Sequence, residues 1–203
     1  MKIRSDSFDN GTRIDARFAA GRREGDSIGF GDNRNPHLAW SDVPEGTQSF
    51  ALLCIDPDVP TDATPHPIPR DQPRTDFIHW AMVDIPAAAT EIAEGACSDG
   101  FTRGGKSDPQ GPAGARQGVN GYTAYFAGNA DLAGTYRGYD GPFPPPHDAR
   151  LHRYFFRVFA LDVARLDVGE DFEASDVLRA MQGHVLAEAS VHGTYSLNPD
   201  VRD

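Results

Sequence analysis

Apolar residues concentrate in three short runs, residues 49–55 (SFALLCI), 77–85 (FIHWAMVDI) and 153–161 (RYFFRVFAL), each bounded by turn-forming residues. Their length and their aromatic and aliphatic content predict core strands of a sheet. Helical periodicity is convincing over residues 175–189 alone. There Val177, Leu178, Met181, Val185 and Leu186 recur on one face, Ser175 is placed to cap, and Asp176 suits the positive N-terminal end. His184 on this helix reads as a solvated residue. Between about residues 95 and 140 the chain is rich in Gly, Asp, Arg and Asn and weakly periodic, with a short strand predicted at residues 122–126. That stretch holds too few apolar residues for a core of its own and reads as a loop excursion. With 21 Gly and 16 Pro spread in short clusters, the pattern predicts many strands, few helices and one domain over residues 1–203.

Composition narrows the classes of partner. The 203 residues carry 30 acidic and 19 basic side chains, a formal charge of −11. Arg supplies almost all of the positive charge, Lys occurring only at positions 2 and 106. Such a surface repels phosphate backbones and anionic bilayers, which argues against nucleic-acid binding. Two cysteines are too few for a disulfide framework and fit a reducing, cytoplasmic setting. The N-terminal stretch has no apolar signal core, and no run is long enough to span a membrane. Asn10-Gly11-Thr12 matches a glycosylation sequon but is read as a hairpin turn.

One nucleotide-type motif is rejected. Gly100 to Ser107 fits the phosphate-loop pattern GxxxxGK[ST], yet that chemistry needs a strand before the loop and a helix after it. Neither is predicted, and Asp108-Pro109-Gln110-Gly111-Pro112 cannot open a useful helix.

Three other motifs place polar groups at strands. Asp56-Pro57-Asp58-Val59-Pro60 follows the first apolar run, its prolines stiffening the exit that holds the Asp56 carboxylate. His79 and Trp80 sit in the second run, where period-two alternation would put them on opposite faces. His152 and Tyr154, two residues apart, share a face at the start of the third, with Arg153 on the other. Gly141-Pro142, leading into Pro144-Pro145-Pro146, would form a wall beside them.

In order along residues 30 to 197, these motifs resemble the phosphatidylethanolamine-binding proteins, in particular the bacterial Raf-kinase-inhibitor-like branch. The likeness runs through Pro36-His37-Leu38-Ala39-Trp40, Val43-Pro44-Glu45-Gly46, the Asp56 motif, His79-Trp80 with Asp84-Ile85-Pro86, Gly141-Pro142, His152-Arg153-Tyr154 and Gly193-Thr194-Tyr195-Ser196. The resemblance implies an antiparallel β-sandwich with a few peripheral helices and a small anion-binding pocket at one end. Carried over position by position, the pocket should involve Asp56, Pro60, His79, Gly141, Pro142, His152 and Tyr154, with no catalytic residue, metal or cofactor. Its ligand would be a phosphate monoester or phospholipid head group. Regulation of a kinase or protease partner and self-association as a homodimer are compatible with it. The chain departs from the family in a Gly-free turn over residues 146–151 and in an unusually long loop over residues 98–139.

The residue types suit an anion: two imidazoles and a phenol are donors without Lys or Arg point charges, and Asp56 would charge an imidazole and keep a donor available. A hydrolase using Asp56 with the two histidines as acid and base is the alternative. No Ser or Cys stands near these motifs in a nucleophile-elbow pattern, and Cys54 reads as a small buried residue.

Overall fold

The computed structural model describes residues 1–201. Ten strands are formed: β1 (Lys2–Arg4), β2 (Gly21–Glu24), β3 (Ser27–Phe30), β4 (Leu38–Ser41), β5 (Ser49–Pro60), β6 (Arg74–Pro86), β7 (Glu91–Ile92), β8 (Arg116–Gln117), β9 (His152–Leu161) and β10 (Val185–Tyr195). Two short helices, α1 (Tyr122–Tyr125) and α2 (Ala174–Ala180), lie outside the sheets. The main sheet runs β10-β9-β5-β6-β8, a second runs β1-β4-β7, and β2 pairs with β3; all strand pairs are antiparallel. The mainly β, antiparallel fold expected from the sequence is present.

The central strands β5, β6 and β9 contain the three apolar runs, because strands covered on both faces need apolar residues at nearly every position. One face of the main sheet, with Leu52, Cys54, Trp80, Met82, Phe156 and Val158, packs on Leu38 and Trp40 of the second sheet. The other face, with Ala51, Leu53, Val83 and Phe159, is covered by α2 and the segment before it through Val177, Met181 and Phe172.

Several local expectations are corrected. The helix predicted over residues 175–189 stops at Ala180, and from Val185 the chain is strand β10. Gly183, at φ +83°, sits in the turn between them, a conformation that glycine adopts without strain. Pairing with β9 then outweighs the helical period, and Leu178, Val185 and Leu186 of the predicted apolar face are exposed. The helix begins one residue before the predicted cap: Asp176 Oδ2 accepts from the Glu173 N–H at 3.0 Å.

Residues 122–126 form helix α1 and its C-cap, not a strand; Tyr122 and Phe126, four apart, stack with centroids 5.4 Å apart. The first run continues beyond Ile55, so that the whole Asp56-to-Pro60 motif lies inside β5. Asn10 and Gly11 turn the chain onto the side of β10, with Gly11 N–H donating to the His192 carbonyl, and join no hairpin. The excursion over residues 95–140 gathers Tyr122, Phe126, Leu132 and Tyr136 with Ala20 into a small cluster of its own.

Candidate functional site: an aromatic-walled pocket at the end of the main sheet

Two irregularities in the β5–β6 ladder create the site. Cys54 pairs with Trp80 and Ile55 with Ile78, which leaves His79 as an extra residue in β6. A bulge of this kind re-aims a side chain. The expected opposition of His79 and Trp80 is therefore absent. Trp80 packs on Tyr139 at 5.3 Å and His79 on Tyr154 at 5.1 Å, while Tyr154 and Phe156 share one face of β9 and Phe156 in turn stacks on Tyr139. Both side chains thus lie on the same side of the sheet.

Further along, Asp56 pairs with Phe77 and Val59 with Thr75, so that β5 holds one residue too many at Pro57-Asp58. Two aspartates at i and i+2 would share a face of a regular strand. Here Asp56 turns to His152, and Asp58 to Arg153 and Arg150 on the other side. Proline is tolerated because a bulge does not require its missing N–H.

The base of the pocket consists of Asp56, His79, His152 and Tyr154. His152 is fully buried and donates from both ring nitrogens, to Asp56 Oδ2 at 2.7 Å and to Asp148 Oδ2 at 3.1 Å. Burial alone would lower its pKa, but the hydrogen bonds to Asp148 and Asp56 outweigh that and raise it to about 9. Burial likewise works to raise the Asp148 carboxyl, yet His152 and Arg74 hold it at about 2. Arg74 grips Asp148 through two nitrogens, at 2.5 and 3.1 Å.

His79 Nδ1 donates to the Asp140 carbonyl at 2.7 Å, which fixes the tautomer and leaves Nε2 as the acceptor of a neutral ring. Burial lowers its pKa, against the opposing pull of Asp56 and Asp140, so the ring is neutral at neutral pH. The Tyr154 hydroxyl is buried and has no hydrogen bond of regular geometry; burial first and the Asp56 charge second hold its pKa well above the ordinary phenol value.

The pocket encloses about 170 Å³. Phe77, Tyr122 and Tyr125 form one wall, Phe143, Pro144 and Pro145 another, and Val59, Pro60 and Ala63 a third. The Asp and His side chains are confined to its base. Every carboxylate near that base has a cation beside it: Asp56 and Asp148 have His152, Asp58 has Arg153 and Arg150, and Asp140 has Lys106 at 2.6 Å. The net charge of the molecule does not extend into the pocket.

Of the seven residues expected here, Asp56, Pro60, His79, His152 and Tyr154 line the pocket, whereas Gly141 and Pro142 do not. Those two stand behind the wall. The Gly141 N–H donates to Asn33 Oδ1 at 2.8 Å, its carbonyl accepts from the Tyr122 hydroxyl at 2.7 Å, and the Pro142 carbonyl accepts from Gly21. A Cβ on Gly141 would lie 2.0 Å from the Phe18 carbonyl oxygen, which explains the glycine.

Sequence reasoning missed Asp148, Arg74 and Asp140. Asp148 lies in the Gly-free turn four residues before His152, and that i, i+4 pairing of an acid with a histidine was the available signal. Lys106, from the rejected phosphate-loop match, anchors Asp140 together with Asn33 and Asn120. The Gly100–Ser107 stretch is built of turns, with no helix after it.

Cys54 and Cys97 are free and buried, and burial pushes the Cys97 thiol up to about 12. Among the described residues no cluster of three or more His, Cys, Asp and Glu side chains could hold a metal ion. Among them, too, no helix is long and apolar enough to cross a membrane.

The family model for phosphatidylethanolamine-binding protein matches residues 4–196. The UPF0098 protein YbhB of Escherichia coli is 33% identical over 197 residues, covering 97% of this chain and 100% of that one. A UPF0098 protein of Methanothermobacter thermautotrophicus is 33% identical over 195 residues, 96% of this chain and 98% of its own. The crystal structure of E. coli YbcL, described as a new member of the mammalian PEBP family, superposes with a TM-score of 0.70 at 28% identity. It covers 96% of this chain and 97% of that one.

Proposed function

The chain belongs to the phosphatidylethanolamine-binding protein family, and from that premise we propose that its pocket binds one small anionic group, a phosphate monoester or a carboxylate of head-group size. The observation that carries this reading is the pocket base, where a hydroxyl without a regular hydrogen bond and a histidine with a spare nitrogen sit beside an imidazolium that is charged at neutral pH. Buried polar groups without partners are costly, about 1–3 kcal/mol each, and a ligand that engages them recovers that cost.

The roles differ from those expected before the fold was known. His152 has no free N–H to offer, since both of its nitrogens donate to carboxylates. Its charge offsets Asp56, so an anion entering the pocket meets no net repulsion at the base. Tyr154 donates its hydroxyl. His79 Nε2 accepts a proton on binding or accepts a hydrogen bond from a protonated phosphate oxygen. Aromatic walls exclude water and strengthen each of these contacts.

A hydrolytic reading has less to support it. No Ser, Thr or Cys lines the pocket, and His152 has no lone pair with which to act as a base. The test is titration calorimetry with O-phosphorylethanolamine against the wild type, Tyr154→Phe and His79→Ala. Binding that weakens in both variants is expected; equal affinity in all three would remove the proposed site.

A further inference from the structure

The Gly100–Ser107 stretch fits a phosphate-loop pattern without its fold, and its glycines and lysine serve another purpose. Gly104 and Gly105 have φ of +77° and +88°, and the chain there runs hard against residues 134–136. A Cβ on Gly105 would lie 2.1 Å from the Thr135 carbonyl oxygen, and one on Gly134 2.1 Å from that of Gly104. The Gly104 N–H donates to the Tyr136 hydroxyl at 3.1 Å. This close approach, open only to glycine, brings the next residue, Lys106, to Asp140. The lysine side chain is 14% exposed, and Nζ lies 2.6 Å from Asp140 Oδ1.

Asp140 is fully buried, and the rest of its carboxylate is held by amides, Asn33 Nδ2 at 2.7 Å and Asn120 Nδ2 at 2.8 Å. Among the described residues Lys106 is the one cation paired with it. The main chain of the same aspartate grips His79 at two points. The Asp140 N–H donates to the His79 carbonyl at 3.0 Å, and the Asp140 carbonyl accepts from His79 Nδ1 at 2.7 Å. That second bond is the only hydrogen bond to the His79 ring among the described residues. Other titratable and charged groups lie around the ring, Asp56 on β5, His152 and Tyr154 on β9 and Tyr122 on α1, but none of them bonds to it. The side chain of Asp140 thus answers to the loop and its backbone to the pocket. A buried carboxylate deprived of its cation takes up a proton or admits water, and either change loosens the backbone that holds His79.

We infer that Lys106 is a positioning residue of the pocket: its ammonium holds Asp140, and through the Asp140 carbonyl it keeps the His79 proton on Nδ1 and leaves the lone pair on Nε2 for the ligand. The use of that lone pair rests on the anion-binding reading; the hold on the tautomer does not. With Nδ1 as donor, a phosphate dianion is bound as Nε2 takes a proton from the buffer, and the carbonyl steadies the charged ring. With the proton on Nε2 instead, the same dianion would be bound with no proton taken up.

The test compares the wild type with Lys106→Gln, which keeps a donor and loses the charge, and Lys106→Arg, which keeps the charge. Nitrogen NMR of the His79 imidazole in the free protein at neutral pH is expected to show Nδ1–H in the wild type and in Lys106→Arg, and a substantial share of Nε2–H in Lys106→Gln. Proton uptake on binding O-phosphorylethanolamine, from calorimetry in buffers of different ionisation enthalpy, should fall about twofold or more in Lys106→Gln. A Lys106→Gln protein with a lowered Tm but the wild-type tautomer and uptake would show the lysine bracing the fold alone, and would overturn the proposal. So would Nε2–H as the main form in the wild type, whatever the variants do. If O-phosphorylethanolamine does not bind the wild type, the anion reading fails, and the tautomer in the free protein still decides the role of Lys106.

Discussion

His152 donates through Nε2 to Asp148 at 3.1 Å, across only four residues of chain. Because Asp56 already accepts from Nδ1, this second bond turns the imidazole from a ligand-binding group into a fixed internal cation. The His152-Arg153-Tyr154 motif supplies the histidine, but the turn before β9 supplies Asp148. What the imidazole does is therefore set by a residue outside the motif.

Stability should fall as pH rises through the alkaline range. A raised pKa contributes its full stabilisation below the unfolded value of 6.5 and loses it as pH passes the folded value of about 9. Asp148, held at about 2 against 3.8, acts at the other end: its contribution is present above 3.8 and fades as pH falls to about 2. The two shifts describe one interaction from both sides and are counted once, at about 2–3 kcal/mol. Thermal melts should show a Tm that declines between pH 6.5 and 9.5, and a flat profile there would mean that His152 is not charged.

Replacing Asp148 with Ala should cost about 3 kcal/mol or more, because it strands the buried Arg74 guanidinium and removes one of two counterions of His152. Denaturant unfolding measures this directly. Replacing the exposed Asp176, which pairs with Arg179 on the surface, should cost much less and serves as the comparison.

Tyr154→Phe should separate binding from folding. The hydroxyl has no regular hydrogen bond to lose, so stability should change by less than about 1 kcal/mol while affinity for a phosphate monoester drops about tenfold. A variant that melts well below the wild type and binds normally would show that the hydroxyl serves the fold instead.

Binding of a phosphate dianion should take up a proton. His79 is neutral in the free protein because burial lowers its pKa, and an anion beside Nε2 favours the charged ring, so affinity should rise as pH falls. Calorimetry in buffers of different ionisation enthalpy reads the uptake; none in the wild type, or the same uptake in His79→Ala, would place the proton elsewhere.

Association should accelerate with added salt, the reverse of a steered encounter. A protein of charge −11 repels a small anion at long range, and screening shortens that reach to about 8 Å at physiological ionic strength. Stopped-flow rates that fall with salt would instead indicate a local positive funnel at the mouth.

The central strands were legible because β5, β6 and β9 carry long, largely apolar runs, and the motifs located five of the seven expected residues at one pocket. Periodicity failed where backbone geometry or pairing overrode it. The bulge at His79 breaks the two-residue alternation without any change in residue type, and Gly183 ends a helical pattern that continues in the letters beyond it. Gly141 and Pro142 belong to the same motif as the wall but work behind it, a difference of depth that spacing does not encode. Asp140 was hidden in a polar loop, where an acidic residue carries no positional signal until the fold brings a cation to it, and Asp148 carried only its four-residue spacing to His152.

The extra residue in β6 makes the site depend on the length of the strand as well as on its chemistry. Removing a single residue between Phe77 and Trp80 would restore the alternation and swing a histidine at that position to the opposite side of the sheet, into the layer packed under α2. Variation among natural or engineered relatives should accordingly tolerate many exchanges along this strand and almost no insertions or deletions.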